Sequence, residues 1–143
     1  MTAQEIIDRL KLEPHPEGGW YRQTWQAAAV PGERPAGTCI HFLLRQGERS
    51  HWHRVDATEI WHFYAGAPLT LRLSSTDAGP ADEHVLGPDL LRGQSPQIVV
   101  PDGCWQAAQS LGDWTLVGCT VSPGFRFEGF ELAEPSFDIP RRP

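Results

Sequence analysis

At 143 residues the chain is the length of one domain, long enough to bury a core without disulfides or a structural metal. With 40% hydrophobic residues, six tryptophans and a net charge of −6 it is no disordered tail, and its longest basic run, Arg141-Arg142, is no nucleic-acid-binding stripe. No segment approaches the roughly 20 apolar residues of a membrane span and the start shows no basic-then-apolar leader, so a cytoplasmic protein with neither nucleic-acid nor membrane partner is expected.

Thr2-Ala-Gln-Glu5 has the form of a capping box, and Ile6, Ile7 and Leu10 fall on one side of the turn that follows. One short helix is predicted over about residues 3–11. Pro14 and Pro16 then hold the chain extended and Gly18-Gly19 permits positive φ, so His15-Pro-Glu-Gly-Gly-Trp-Tyr21 reads as a turn feeding the first strand. His15 and Glu17 are polar groups on a rigid loop of the kind that rims a pocket.

Strands are predicted at 20–26, 38–44, 50–53, 59–64, 69–74, 83–86, 97–100, 105–108, 114–121 and near 127–132. Turn signals separate them, among them Pro31-Gly32, Ala65-Gly66, Gly87-Pro88, Asp102-Gly103 and Pro123-Gly124. Leu69, Leu71 and Leu73 alternate with Thr70 and Arg72, the pattern of a half-buried strand. Many short strands at near-regular spacing suit a sandwich or small barrel, with no repeat and no linker. Cys39, Cys104 and Cys119 form no CxxC pair and read as reduced thiols.

The stretch Ser50–Gly66 carries the chemistry. Residues i and i+2 of a strand share a face, so His51 and His53 are expected to point together. A hairpin loop over the next five residues brings Glu59 beside them, and two imidazoles with one carboxylate form a facial triad for a divalent ion. Against this, His51 also suits a solvent-facing strand position and His53 a core histidine. Glu59 opens an apolar strand, so it must be solvated, paired or functional. Trp52, Trp61 and Trp105 flank these positions and are expected to wall a small apolar pocket. His62 and Tyr64 are out of phase with Glu59 and face the other side of the sheet. Arg22 and Arg54 read as surface ion-pair partners. No glycine-rich phosphate loop and no Ser-His-Asp or Cys-His pattern occurs, and no organic cofactor is indicated.

The pattern resembles the cupin superfamily: His51-Trp52-His53, then Glu59, then six residues to Gly66, with Pro101-Asp102-Gly103-Cys104-Trp105-Gln106 as the second motif. Five residues separate His53 from Glu59 where three or four are usual, and Gln106 stands where that motif has histidine. The likeness is closer to one branch, Cupin 5, whose members mostly have no assigned function. Its marks are His15–Tyr21, His53–Tyr64, Val100–Ala108, Val117–Phe125 and Phe127–Leu132. In that branch His53 and Glu59 belong to the usual pattern while His51 varies.

The resemblance implies an all-β double-stranded β-helix, a jelly-roll barrel with a short N-terminal helix over a single domain 1–143, often dimeric, with a pocket inside. On it rests the expected metal set of His51, His53, Glu59 and Gln106, holding Fe, Mn, Ni or Zn, with a small-molecule ligand of hydroxy-carbonyl or sugar-like kind. Two other readings stay open. One is metal-free proton transfer of the sugar-epimerase type by His53 and Glu59. The other is a non-catalytic binding barrel. A homodimer is expected, with the edge of strand 20–26 as its surface.

Overall fold

Thr2 caps the first helix as its spacing to Glu5 predicts. In the computed structural model, which describes residues 1–143, the Thr2 hydroxyl accepts the Glu5 amide at 3.2 Å. Helix α1 runs Ala3–Leu10 and stops at Lys11, whose left-handed conformation (φ 56°) turns its amide onto the Ile7 carbonyl. Ile6 and Ile7 are buried with Leu12 and Leu43, and Trp20, Trp114 and Leu116 pack around them. The apolar side of one short helix is thus fixed to the barrel wall.

Eleven strands follow: β1 (Glu13–Pro14), β2 (Trp20–Gln26), β3 (Thr38–Arg45), β4 (Arg49–Val55), β5 (Thr58–Gly66), β6 (Leu69–Ser74), β7 (Asp82–Leu86), β8 (Gln97–Val100), β9 (Trp105–Ser110), β10 (Trp114–Ser122) and β11 (Phe130–Leu132). They form two antiparallel sheets, a six-stranded one in the order β1-β2-β3-β10-β5-β8 and a five-stranded one in the order β11-β4-β9-β6-β7. This is an all-β jelly roll with a single N-terminal helix. Leu69 and Leu71 of β6 point between the sheets, meeting Phe42, Leu44, Trp61 and Val117 in the main core. β1 was not foreseen, and β11 is shorter than expected because Phe127–Gly129 forms a turn of 3-10 helix. All three cysteines are free thiols. No helix is long and apolar enough to cross a membrane.

Two departures from the expected geometry decide where the polar residues go. First, β4 and β5 are not a hairpin. β4 pairs with β9 and β11, whereas β5 pairs with β10 and β8 in the other sheet. The short link Asp56-Ala57, with Ala57 buried, carries the chain from one sheet to the other. Second, β4 contains a bulge: Ser50 pairs with Ala108 and His53 with Gln106, so three steps along β4 match two along β9. One extra residue in a strand shifts every side chain beyond it to the opposite face. Ser50 and His53 consequently both point into the barrel, and Trp52 points out.

The outward face of the five-stranded sheet is partly roofed by the C-terminal tail. Trp52, Trp105 and Ala107 form a second core there with Ala81 and Ile139, and Phe137 and Ala133 pack on it. The Trp52 indole donates to Asp138 Oδ1 at 2.8 Å.

Candidate active site in the barrel cavity

Between the sheets lies a cavity of about 210 Å3. His15 and Glu17 reach it from the loop before β2, His53 from β4 and Glu59 from β5, while Tyr21, Ile40, Val55 and Val121 supply apolar wall. Phe125, Phe127 and Phe130 complete the lining, with Phe127 half exposed at the rim. These three rings meet edge to face, with centroids 5.0–6.1 Å apart, and Phe130 also lies 5.5 Å from the His53 ring. Their loop is anchored to the β4–β5 link, since Arg34 donates to the Gly124 carbonyl (2.8 Å) and Asp56 Oδ1 (2.7 Å), and Arg126 to Asp56 Oδ2 (2.9 Å). The two guanidiniums, Arg126 foremost, hold the Asp56 carboxyl below the usual carboxylate range.

The loop carrying His15 and Glu17 is closed on itself and docked on β4. The His15 amide donates to the Gly19 carbonyl (2.9 Å), the Gly18 amide to the His15 carbonyl (3.0 Å), and the His51 amide to the Glu17 carbonyl (2.8 Å). Gly18 sits at φ +109°, and any Cβ there would overlap the Arg49 carbonyl oxygen. Gly18→Ala is expected to lower stability by about 2 kcal/mol or more, from left-handed backbone and overlap together. Gly32→Ala, also at positive φ (+88°) but with open space around it, isolates the backbone part; equal losses in urea titrations of the two variants would contradict the close approach.

Glu17 is the hub of the polar cluster. The Ser50 hydroxyl donates to Glu17 Oε2, while Oε1 lies 3.3 Å from His15 Nδ1 and 3.5 Å from His53 Nε2. Each imidazole has its tautomer set by backbone. His53 Nδ1 donates to the His51 carbonyl at 2.8 Å, which leaves the lone pair of a neutral ring on Nε2. His15 Nδ1 accepts the Glu17 amide at 3.1 Å. Glu17 Oε1 therefore faces two ring lone pairs, an arrangement that needs a proton between them. Burial acts in the same direction, raising the Glu17 carboxyl and lowering both imidazoles from their ordinary values.

Glu59 stands on the opposite sheet. Gln106 Nε2 donates to its Oε1 at 2.8 Å, and the Trp61 indole in turn donates to Gln106 Oε1 at 2.7 Å. Burial pushes the Glu59 carboxyl up to about 7, against the attraction of His53. A carboxylic acid and a neutral imidazole thus line one cavity near neutral pH, from opposite sheets.

Of the residues singled out from sequence, His15, Glu17, His53 and Glu59 line the cavity. His51 does not join them. The bulge turns its ring outward, where Nδ1 is 2.6 Å from the Arg49 guanidinium and Nε2 2.7 Å from the Glu134 carbonyl oxygen. Gln106 is fully buried behind Glu59, and its only ligating atom is taken by Trp61. The tryptophans are not the walls: Trp52 and Trp105 belong to the core beneath the tail and Trp61 to the main core. His62 faces outward, 3.0 Å from Thr120 Oγ1. The expected donors His51, His53, Glu59 and Gln106 are therefore not brought together, and no three His, Cys, Asp or Glu side chains converge as a metal-holding group. As arranged here, these side chains do not fit a bound ion. The phenylalanine trio was missed, although its Phe125-x-Phe127-x-x-Phe130 spacing is visible in the sequence.

The Cupin_5 family model, described as cupin superfamily (DUF985), matches residues 4–133. The chain belongs to this cupin family. Among solved structures, a Shewanella oneidensis protein determined by X-ray crystallography is 43% identical, with TM-score 0.87 over 94% of this chain and 85% of that one. A hypothetical protein from Leishmania major is 32% identical, with TM-score 0.86 over 96% of this chain and 90% of that one. The cupin fold itself extends to oxalate decarboxylase from Bacillus subtilis, at 13% identity and TM-score 0.63, covering 83% of this chain but 29% of the larger enzyme. No curated protein matches the sequence. The family makes this a cupin domain. It does not name a reaction.

Proposed function

We propose that this cupin is a metal-independent acid–base catalyst of the isomerase or epimerase type, acting on a neutral hydroxy-carbonyl compound. The observation that carries the reading is the pairing, in one cavity, of an imidazole whose Nε2 is deprotonated with a carboxyl raised to about 7. His53 Nε2 takes the proton α to the substrate carbonyl, and the Glu59 carboxyl gives its proton to the carbonyl oxygen. From the enediol that results, the His53 imidazolium delivers its proton to the former carbonyl carbon while the Glu59 carboxylate takes the proton of the neighbouring hydroxyl, which leaves the isomeric carbonyl compound with both residues back in their starting states. Glu17 shares its proton with His15, whose Nδ1 is the nearer ring nitrogen (3.3 Å against 3.5 Å), which leaves the His53 Nε2 lone pair for the substrate.

The lining also bears on substrate charge. It contains carboxyls and imidazoles but no lysine or arginine, so nothing in it would hold a carboxylate or phosphate. Neutral carbonyl compounds of compact size fit this chemistry better than oxalate-like dianions. Placement of the proposed metal donors weighs in the same direction, because His51 and the Gln106 carbonyl are already engaged elsewhere.

Exchange of carbon-bound hydrogen in D2O tests the reading. Incubated with neutral hydroxy-aldehydes and hydroxy-ketones, the protein is expected to place deuterium α to the carbonyl. His53→Gln should slow that exchange by roughly 10²–10⁴-fold, and a chelator should leave it unchanged. Exchange that survives His53→Gln, or stops with the chelator, rules the mechanism out. Ligand-dependent thermal stabilisation without exchange would make the barrel a binding module.

A further inference from the structure

We propose a second ligand site, an oxyanion-binding cleft on the outer face of the five-stranded sheet, that takes the phosphate group of a small metabolite. It is separate from the barrel cavity and independent of the proton-transfer reading. The hollow measures about 240 Å3 and is bounded by Arg49 of β4, Thr70 and Arg72 of β6, Gln109 of β9 and Arg141 of the tail. Small Ala107 lies at its floor.

The register explains the cluster. Thr70 pairs with Gln109 and Arg72 with Ala107, and Arg49 also pairs with Gln109, so these side chains project from one face. The tail supplies the third guanidinium. Ala81 donates to the Pro140 carbonyl at 2.7 Å and Arg142 to the Ala81 carbonyl at 3.0 Å, a parallel bridge that seats Arg141 beside the sheet.

What points to a ligand is the state of Arg72. Its side chain is only 15% exposed, and it makes no hydrogen bond within the protein. The carboxylate within salt-bridge reach, Asp138 Oδ1, is 3.9 Å away and already accepts the Trp52 indole, while Glu83, the cross-strand partner of Arg72 on β7, is turned to Arg141 at 3.5 Å. The guanidinium carbon lies 5.7 Å from the Trp52 ring centroid, a contact that attracts the cation without satisfying its donors. The one sealed-off unpaired polar atom in the protein is Trp105 Nε1, so the Arg72 donors open into the cleft. A largely desolvated guanidinium with five idle donors is matched by an oxyanion, to which it bonds in bidentate fashion. The Thr70 hydroxyl and the Gln109 amide, likewise without protein partners, line the same hollow and stand ready to donate as well. Arg49 and Arg141 add charge. The countercharges are Glu83, 3.5 Å from Arg141, and distant Asp138, so three arginines outweigh them in a protein of net charge −6.

The test titrates inorganic phosphate, and separately ribose 5-phosphate against ribose, at constant ionic strength, following backbone amide NMR shifts. Saturable shifts at Thr70, Arg72 and Ala107, with Ile40 in the barrel cavity unmoved, are expected for both phosphates and not for ribose. Tighter binding of ribose 5-phosphate assigns the ligand to a phosphorylated metabolite. Saturation by inorganic phosphate alone overturns that assignment in favour of the free ion. Arg72→Gln should weaken binding at least tenfold, and exposed Arg49→Gln, which leaves the core untouched, should weaken it severalfold. Shifts that fail to saturate, or that persist unchanged in both variants, overturn the site.

Discussion

Replacing Glu59 with glutamine is expected to stabilise the protein progressively as pH rises from about 4.5 to about 7, then by a constant amount. The Glu59 carboxyl titrates near 4.5 in an unfolded chain and near 7 in the folded one. Between those values the folded state holds a proton that the unfolded state has released, so wild-type stability from this group is complete below pH 4.5 and lost as pH passes 7. At about 1.4 kcal/mol per pK unit, the loss is about 3 kcal/mol, or roughly 10 °C in melting temperature for a domain of this size. Glutamine keeps the shape and can still accept from Gln106, but it has nothing to ionise. The difference between the two stability-versus-pH curves, measured by urea titration, reads Glu59 together with its coupling to His53 and Glu17. Parallel curves would mean that Glu59 ionises in the folded protein as it does in water, which would also remove the acid from the proposed reaction.

Trp52→Ala is expected to cost about 3–5 kcal/mol, the range for deleting a buried indole. Trp52 is 1% exposed and is the centre of the core beneath the C-terminal tail. The variant also removes the donor that first of all holds the exposed Asp138 carboxyl below its ordinary value, leaving that carboxylate to water. The tail loses both its apolar seat and its polar anchor, so proteolysis should cut near residues 133–143 while the barrel core stays protected. Trp52→Phe, which keeps most of the ring volume but loses the N–H, should cost clearly less. Equal losses for the two variants would contradict a packing origin.

Much of the fold is legible from short-range rules. The capping box marks α1, and alternation with turn residues marks nearly every strand, because these signals depend on neighbours a few residues apart. The site is less legible because it depends on phase and on distant contacts. His51 and His53 look like partners by counting, and one inserted residue in β4 separates them. The link from His53 to Glu59 has the length of a hairpin loop, yet it crosses between sheets. Glu17 meets His53 across 36 positions of chain, and no local pattern announces such a meeting. Trp52 and Trp105 are hydrophobic beside the motif residues, but the tail that covers them arrives only at residues 133–139.

The bulge in β4 makes one strand serve two compartments. Were the same residues to run as regular strand, strict alternation from Ser50 would send Trp52 inward and leave His53 outside, emptying the cavity of its imidazole and the tail of its seat. Loss of residue 51 is expected to leave Ser50 and His53 two steps apart, as Ala108 and Gln106 are, so that Trp52 stays outside and His53 inside. Close relatives should tolerate varied side chains at residue 51, and even its absence, while keeping Trp52 and His53 adjacent.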